Sequence, residues 1–208
     1  MTICLVTDRR RRPPVEQAAE AVDAGVDVIQ VRERDLETKE LADLVSHIVR
    51  IARGSPTRVV VNDRLDVAVA CEAHGVHLRG DSVPPALARS LAPPGFLIGR
   101  SVHELQEAMA VAPHVDYVIA GTVFPTSSKP GRTELLGVSG LASISAAVRT
   151  PVLAIGGITV EHAGEVSAAG AAGIAAVSLF TDVERPIKEV IRALRARFNI
   201  SGDFSSSA

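Results

Sequence analysis

The segment Gln30-Val31-Arg32-Glu33-Arg34 sets an amide, a carboxylate and two guanidinium groups within five residues. It closes an apolar run, residues 26–31, that reads as a strand. Alternate side chains of a strand share a face, so Gln30, Arg32 and Arg34 point the same way. Guanidinium groups bind oxyanions through two parallel hydrogen bonds, which suits a phosphate clamp, and a solvated charge cluster is the plainer alternative. Asn62-Asp63 ends another apolar run. An amide beside a carboxylate suits a polar ligand contact plus a hard cation such as Mg²⁺. Asp63 alone also reads as an Asx cap on a helix starting near Leu65.

A third group lies in the loop 121–137, where Thr126, Ser127, Ser128 and Lys129 place hydroxyls and an ammonium close together before Pro130-Gly131. Hydroxyls, backbone N–H groups and a Lys charge together bind phosphate. Long loops of this kind are commonly lids or clamps. Gly156-Gly157 and Val177-Ser178 end two later runs, where glycine lets backbone N–H groups approach a ligand. His77 and His103 lie near strand exits and are candidates for ligand contact or proton transfer. His47, His74, His114 and His162 read as surface residues. The basic stretch 9–14 reads as a solvated loop.

These residues need a scaffold that gathers them. Eight short apolar runs recur at 3–6, 26–31, 58–61, 75–78, 96–98, 115–120, 151–155 and 173–177. Helical patterns fill most intervals, at 15–24, 36–53, 65–73, 104–112, 140–148, 160–169 and 186–197. Small-residue stops at Gly25, Glu72-Ala73-His74-Gly75 and Gly170 read as helix C-caps leading into strands. Eight strand–helix units predict an α/β fold, a single (β/α)₈ TIM barrel, whose active site gathers at the C-terminal strand ends. There lie Asp8, Gln30–Arg34, Asn62-Asp63, Asp81, Arg100-Ser101, the loop 121–137, Gly156-Gly157 and Ser178. An open doubly wound sheet uses the same units, and the strand count favours the barrel.

The chain of 208 residues suits one domain over 1–200, with a polar tail at 201–208 expected to be disordered. Hydrophobic residues make up 47% and aromatics only 3%, without Trp, so aliphatics fill the core and no aromatic platform stacks bases. A net charge of −2 argues against a general nucleic-acid or membrane-surface binder. Cys4 and Cys71 lack metal-ligand spacing and read as buried free thiols. No run has membrane length and no signal-peptide pattern opens the chain, so a cytoplasmic protein is expected. Its partners are expected to be small phosphorylated substrates, and exposed barrel helices often support a homodimer.

Taken in order, the segments resemble the thiamine phosphate synthase/TenI family along nearly the whole chain. The matching pieces are Leu5-Val6-Thr7-Asp8, Gln30-Val31-Arg32-Glu33-Arg34, Val61-Asn62-Asp63-Arg64, Gly75-Val76-His77-Leu78, Gly99-Arg100-Ser101-Val102-His103, Asp116-Tyr117-Val118, Gly121-Thr122-Val123-Phe124-Pro125-Thr126, Lys129, Gly137-Val138-Ser139-Gly140-Leu141 and Ala154-Ile155-Gly156-Gly157-Ile158. The resemblance implies transfer of a pyrimidinylmethyl group from 4-amino-5-hydroxymethyl-2-methylpyrimidine diphosphate to a thiazole phosphate. It implies that Gln30, Arg32, Arg34, Asn62, Ser101 and Lys129 contact the pyrimidine diphosphate, with Arg32, Arg34 and Lys129 as the catalytic cations. Asp63 would bind Mg²⁺. Thr126, Ser128, Gly157, Val177 and Ser178 would hold the thiazole phosphate.

Three departures from the family pattern stand out. Arg34 replaces the usual Lys. The second Mg²⁺-binding Asp of the synthases aligns with Ser82, leaving Asp81 one residue earlier as its expected replacement. Thr122 stands where synthases have Pro and the thiazole tautomerase branch has a catalytic His. Synthase activity is the leading expectation, thiazole tautomerase activity the second, with His77, His103 or Glu33 as its acid/base. A non-catalytic binder of thiazole phosphate is the third.

Overall fold

The first apolar run forms β1 (Thr2–Val6), and the pattern then repeats seven times: α1 (Pro14–Ala24), β2 (Val28–Val31), α2 (Thr38–Ala52), β3 (Arg58–Asn62), α3 (Leu65–Ala70), β4 (Gly75–Leu78), α4 (Pro85–Leu91), β5 (Leu97–Val102), α5 (Leu105–Val111), β6 (Tyr117–Gly121), α6 (Gly137–Ala147), β7 (Val152–Ile155), α7 (Ala163–Ala168), β8 (Gly173–Ala176) and α8 (Ile187–Asn199). The computed structural model describes residues 1–126, 135–183 and 185–199. Each strand pairs in parallel with the next, and β8 pairs with β1, so the sheet closes into a barrel. The (β/α)₈ expectation holds. The tail 201–208, like Ser127, Ser128 and Lys129, lies outside the described residues.

The alternation of side chains separates two cores. Cys4, Val6, Val28, Val60, Tyr117, Ile119, Leu153 and Ala175 pack inside the barrel. The intervening residues, among them Ile3, Leu5, Ile29, Val59, Val61, Val76, Ile98, Val118 and Ile174, pack outward beneath the helices. Both faces of each strand are thus buried, which is why the runs read as continuous apolar stretches. Tyr117 brings a large ring into the barrel core and lies against Gly99, where a Cβ would run into that ring.

Local signals explain most boundaries. Gly25 and Gly170 take left-handed backbone, with φ of 78° and 80°, as expected of C-caps. The stop near 72–75 works differently, since α3 ends at Ala70, Glu72 takes the positive φ, and Gly75 already belongs to β4. Helix α4 fills an interval in which no helical pattern is expected from the sequence, and it opens on Pro85 directly after Pro84. Proline at the first helical position is favourable, since its missing N–H has no intrahelical acceptor there. Cys4 is buried, which pushes its thiol up to about 12, whereas Cys71 is only half-buried. No helix among the described residues is long and apolar enough to cross a membrane.

Candidate active site

A cavity of about 640 Å³ opens at the C-terminal ends of the strands, lined by residues from all eight. Gln30, Arg32, Glu33 and Arg34 enter from β2, Asn62 from β3, and His77, Arg79 and Asp81 from β4 and its turn. Ser101 and His103 follow β5, Thr122 and Thr126 follow β6, Gly156-Gly157 follow β7, and Val177-Ser178 follow β8. Gln30, Arg32 and Arg34 all reach the mouth, but only Gln30 belongs to β2, and Glu33 joins them, so the alternation expected of a strand does not extend to Arg34. Within β5 alternation does operate. It sends Arg100 the other way: this residue is buried outside the barrel, where its guanidinium donates to the carbonyls of Gly80 (2.7 Å) and Val83 (3.3 Å). Arg100 thus braces the β4–α4 turn instead of lining the mouth.

Amides form the floor. Nε2 of Gln30 donates to Oδ1 of Asn62 at 3.0 Å across the β2–β3 pair. Among the described residues, Gln30 Oε1 is buried without a hydrogen-bond partner. An unpaired buried acceptor is costly, and Gln30 is one of the residues that line the cavity. Beside it, His77 bridges Ser101 Oγ (2.8 Å from Nε2) and the Tyr117 hydroxyl (3.3 Å from Nδ1). Burial, then the charges of Arg100 and Arg32, bring the His77 imidazole down to about 3. It is neutral near pH 7 and serves as a hydrogen-bonding post for Ser101.

The arginine wall is held by groups the sequence reading passed over. Thr7 Oγ1 donates to Glu33 Oε1 at 2.6 Å and accepts from the Arg32 N–H at 3.0 Å. The Arg9 N–H donates to both Glu33 oxygens at 3.1 Å. Burial raises the Glu33 carboxyl despite these donors. Burial, then Arg34, lowers Arg32. The stretch 9–13 is a solvated loop, with Arg9, Arg10 and Arg11 exposed, but its charges are paired. Arg9 and Arg10 pair with Asp35, Arg12 pairs with Glu20, and Arg10 lines the mouth. Helix α1 reaches across as well, with Gln17 Nε2 donating to the Phe180 carbonyl at 3.0 Å, which anchors the turn that begins at Ser178.

Asp63 does not cap α3, which has no side-chain cap. Its φ of 64° makes a tight turn in which Arg64 N–H reaches the Asn62 carbonyl at 2.9 Å, while its own N–H donates to His77 O. That turn aims the carboxylate across at the β4 turn. There Ser82 Oγ donates to Asp63 Oδ1, and Arg79 approaches Oδ2 at 3.4 Å while also pairing with Asp81. Among the described residues no three or more His, Cys, Asp or Glu side chains form a metal cage. Mg²⁺ commonly uses only one or two carboxylates, completed by water and substrate phosphate. Two carboxylates that already share one cationic group, with a hydroxyl alongside, suit that ion.

The opposite wall is mostly backbone. Gly157, at φ 62°, lies so close to the Phe124 and Pro125 carbonyls that a Cβ would strike both. Phe124 in turn stacks on His162, with centroids 3.9 Å apart, so this histidine is packed on one face. His103 shares a hydrogen bond with the Gly121 carbonyl through Nδ1.

Such an arrangement defines a (β/α)₈ barrel whose mouth sets a cationic wall against a glycine-rich one. The chain belongs to the family described as thiamine monophosphate synthase, which it matches over residues 3–180. It is 38% identical over 198 residues to the thiamine-phosphate synthase of Chlorobium luteolum, covering 95% of this chain and 92% of the relative. It is 39% identical over 194 residues to that of Pyrococcus abyssi, covering 91% and 93%. The solved structure of thiamine phosphate pyrophosphorylase from Pyrococcus furiosus superposes with a TM-score of 0.86 at 34% identity, covering 96% of both chains.

Proposed function

We propose that this chain is a transferase of thiamine biosynthesis. It joins 4-amino-5-hydroxymethyl-2-methylpyrimidine diphosphate to a thiazole phosphate and releases diphosphate, with Mg²⁺ as cofactor, in the cytoplasm. The observation that carries the reading is the amide floor beneath the guanidinium wall. Buried Gln30 Oε1 offers an acceptor to the pyrimidine amino group, while Arg32 and Arg34 stand where its diphosphate tail would extend. Similarity to two synthases, 38% and 39% identical in alignments that span more than nine-tenths of the chain, supports the same activity.

Departure of diphosphate leaves a pyrimidinylmethyl cation, and the thiazole nitrogen supplies the electron pair for the new C–N bond. No nucleophilic Ser or Cys is required. Arg32 and Arg34 stabilise the charge that grows on the leaving group. Gln30 and Asn62 orient the pyrimidine, and Ser101, held by His77, donates to the diphosphate. Mg²⁺, held by Asp63 and Asp81, would neutralise further leaving-group charge. Thr126, Gly157, Val177 and Ser178 would hold the thiazole phosphate opposite, and Lys129 and Ser128 are expected to join them. A homodimer would draw on the exposed Leu87 and Leu91 of α4 and Met109 of α5.

The deciding experiment supplies both purified substrates with Mg²⁺ and then with EDTA. Thiamine phosphate made only with the metal is the expected result. No product in either condition would sink the synthase reading. Metal-independent isomerisation of the thiazole phosphate carboxylate would put the tautomerase in its place, and binding without turnover would leave a ligand carrier.

A further inference from the structure

Arg79 has no counterpart in the set of residues expected to bind substrate or metal, yet it stands between the two carboxylates assigned to Mg²⁺. Nη1 lies 3.4 Å from Asp63 Oδ2, and Nη2 is paired with Asp81 Oδ2. The other Asp63 oxygen accepts from Ser82 Oγ, which is held in place by the Arg79 N–H at 2.7 Å. The Ser82 N–H closes the turn onto the Arg79 carbonyl at 3.1 Å. Arg79 and Ser82 together therefore engage both oxygens of Asp63. A guanidinium stays charged throughout the working pH range, so the carboxylate pair always has a cation.

The same side chain faces the opposite problem on its other side. Burial first, then Arg34 and least of all Arg79, disfavours the charged form of Arg32 in the mouth. An incoming diphosphate would relieve that repulsion and give the guanidinium a new partner. With its side chain 37% exposed, Arg79 has room to leave the carboxylates.

We propose that Arg79 is a resident counter-ion for Asp63 and Asp81, displaced when a divalent cation binds and transferred to the substrate diphosphate. Metal and diphosphate then favour each other's binding, because the diphosphate takes up the cation that the metal evicts. Metal binding by the free protein is correspondingly weak. The inference rests on the synthase reading for the identity of the anion, but the competition itself can be measured without any substrate.

Mn²⁺ alone is titrated into the full chain and the free ion followed by electron paramagnetic resonance. The wild type is compared with Arg79→Met and Arg79→Gln, two neutral side chains of differing polarity. Both variants should bind Mn²⁺ about tenfold more tightly, equivalent to roughly 1.4 kcal/mol. Adding Asp63→Asn to either should abolish the gain. Unchanged Mn²⁺ affinity in both variants, or a gain that survives Asp63→Asn, overturns the proposal. Absence of thiamine phosphate synthesis by the wild type would instead defeat the synthase reading and leave the Mn²⁺ result standing.

Discussion

Gln30 and Asn62 sit on neighbouring strands with their amides joined at 3.0 Å, and the bond leaves Gln30 Oε1 buried at the cavity floor. Each amide fixes the rotamer of the other, so the acceptor is aimed before any ligand arrives. Replacing Gln30 with Met keeps the volume and removes both functions. A lost hydrogen bond to a buried ligand donor costs about 1–3 kcal/mol. The variant should therefore show roughly 10- to 100-fold lower kcat/KM for the pyrimidine diphosphate, while KM for the thiazole phosphate stays nearly constant. Steady-state kinetics with each substrate varied in turn decides it, and equal losses for both substrates would mean that Gln30 acts on the whole mouth.

Asp63 combines a backbone demand with a chemical one. At φ 64° an Asp is tolerated, a Gly is relaxed, and an Ala is strained. Asp63→Gly should keep or slightly raise stability, whereas Asp63→Ala should lose about 1 kcal/mol relative to it. Both should lose Mg²⁺-dependent activity, because each lacks the carboxylate. Urea unfolding paired with a magnesium titration separates the two effects. Activity retained in the Gly variant would show that the carboxylate serves only the turn.

Much of this arrangement was legible from strand parity. Strand parity places Gln30, inside β2, at the mouth, whereas Arg32, Glu33 and Arg34 follow the strand and reach the same cavity through the turn after it. The same rule, applied to Ser101, would have turned Arg100 outward; the sequence reading instead counted both residues at the mouth. What escaped is set by distant partners. Thr7 matters because β1 and β2 are neighbours that bring it to Glu33, 26 residues away. Arg79 matters because a turn after β4 swings it to Asp63 on the preceding unit. Helix α4 escaped because two prolines mask a start that proline in fact favours.

The Thr7–Glu33 contact carries a stability prediction. Thr7 is fully buried and gives its hydroxyl to a carboxylate that burial already disfavours. Thr7→Val preserves the shape and deletes the donor, leaving Glu33 with only the Arg9 N–H among these partners. Loss of a hydrogen bond to a buried charged group costs roughly 1.5–3 kcal/mol. Thr7→Val should unfold at lower urea, and Thr7→Ser should recover most of the loss because it restores the hydroxyl. If Ser recovers nothing, the methyl packing and not the hydrogen bond holds the β1 end.

His77 gives the fold a defined acid sensitivity. Its imidazole lies near 3 in the folded chain against an ordinary value of 6.5, with burial the main cause and Arg100 and Arg32 the next. The unfolded chain therefore takes up the proton first as pH falls. This group's contribution is complete above about pH 6.5 and is lost progressively towards pH 3, with a slope of at most about 1.4 kcal/mol per pH unit. His77→Gln removes the titrating ring but keeps a polar side chain near Ser101. Between pH 6.5 and 4 the variant's unfolding free energy should fall less steeply than the wild type's, by up to one proton's worth of slope. Parallel curves would mean that water or a moving side chain shelters the imidazolium, and that His77 is not held neutral by its surroundings.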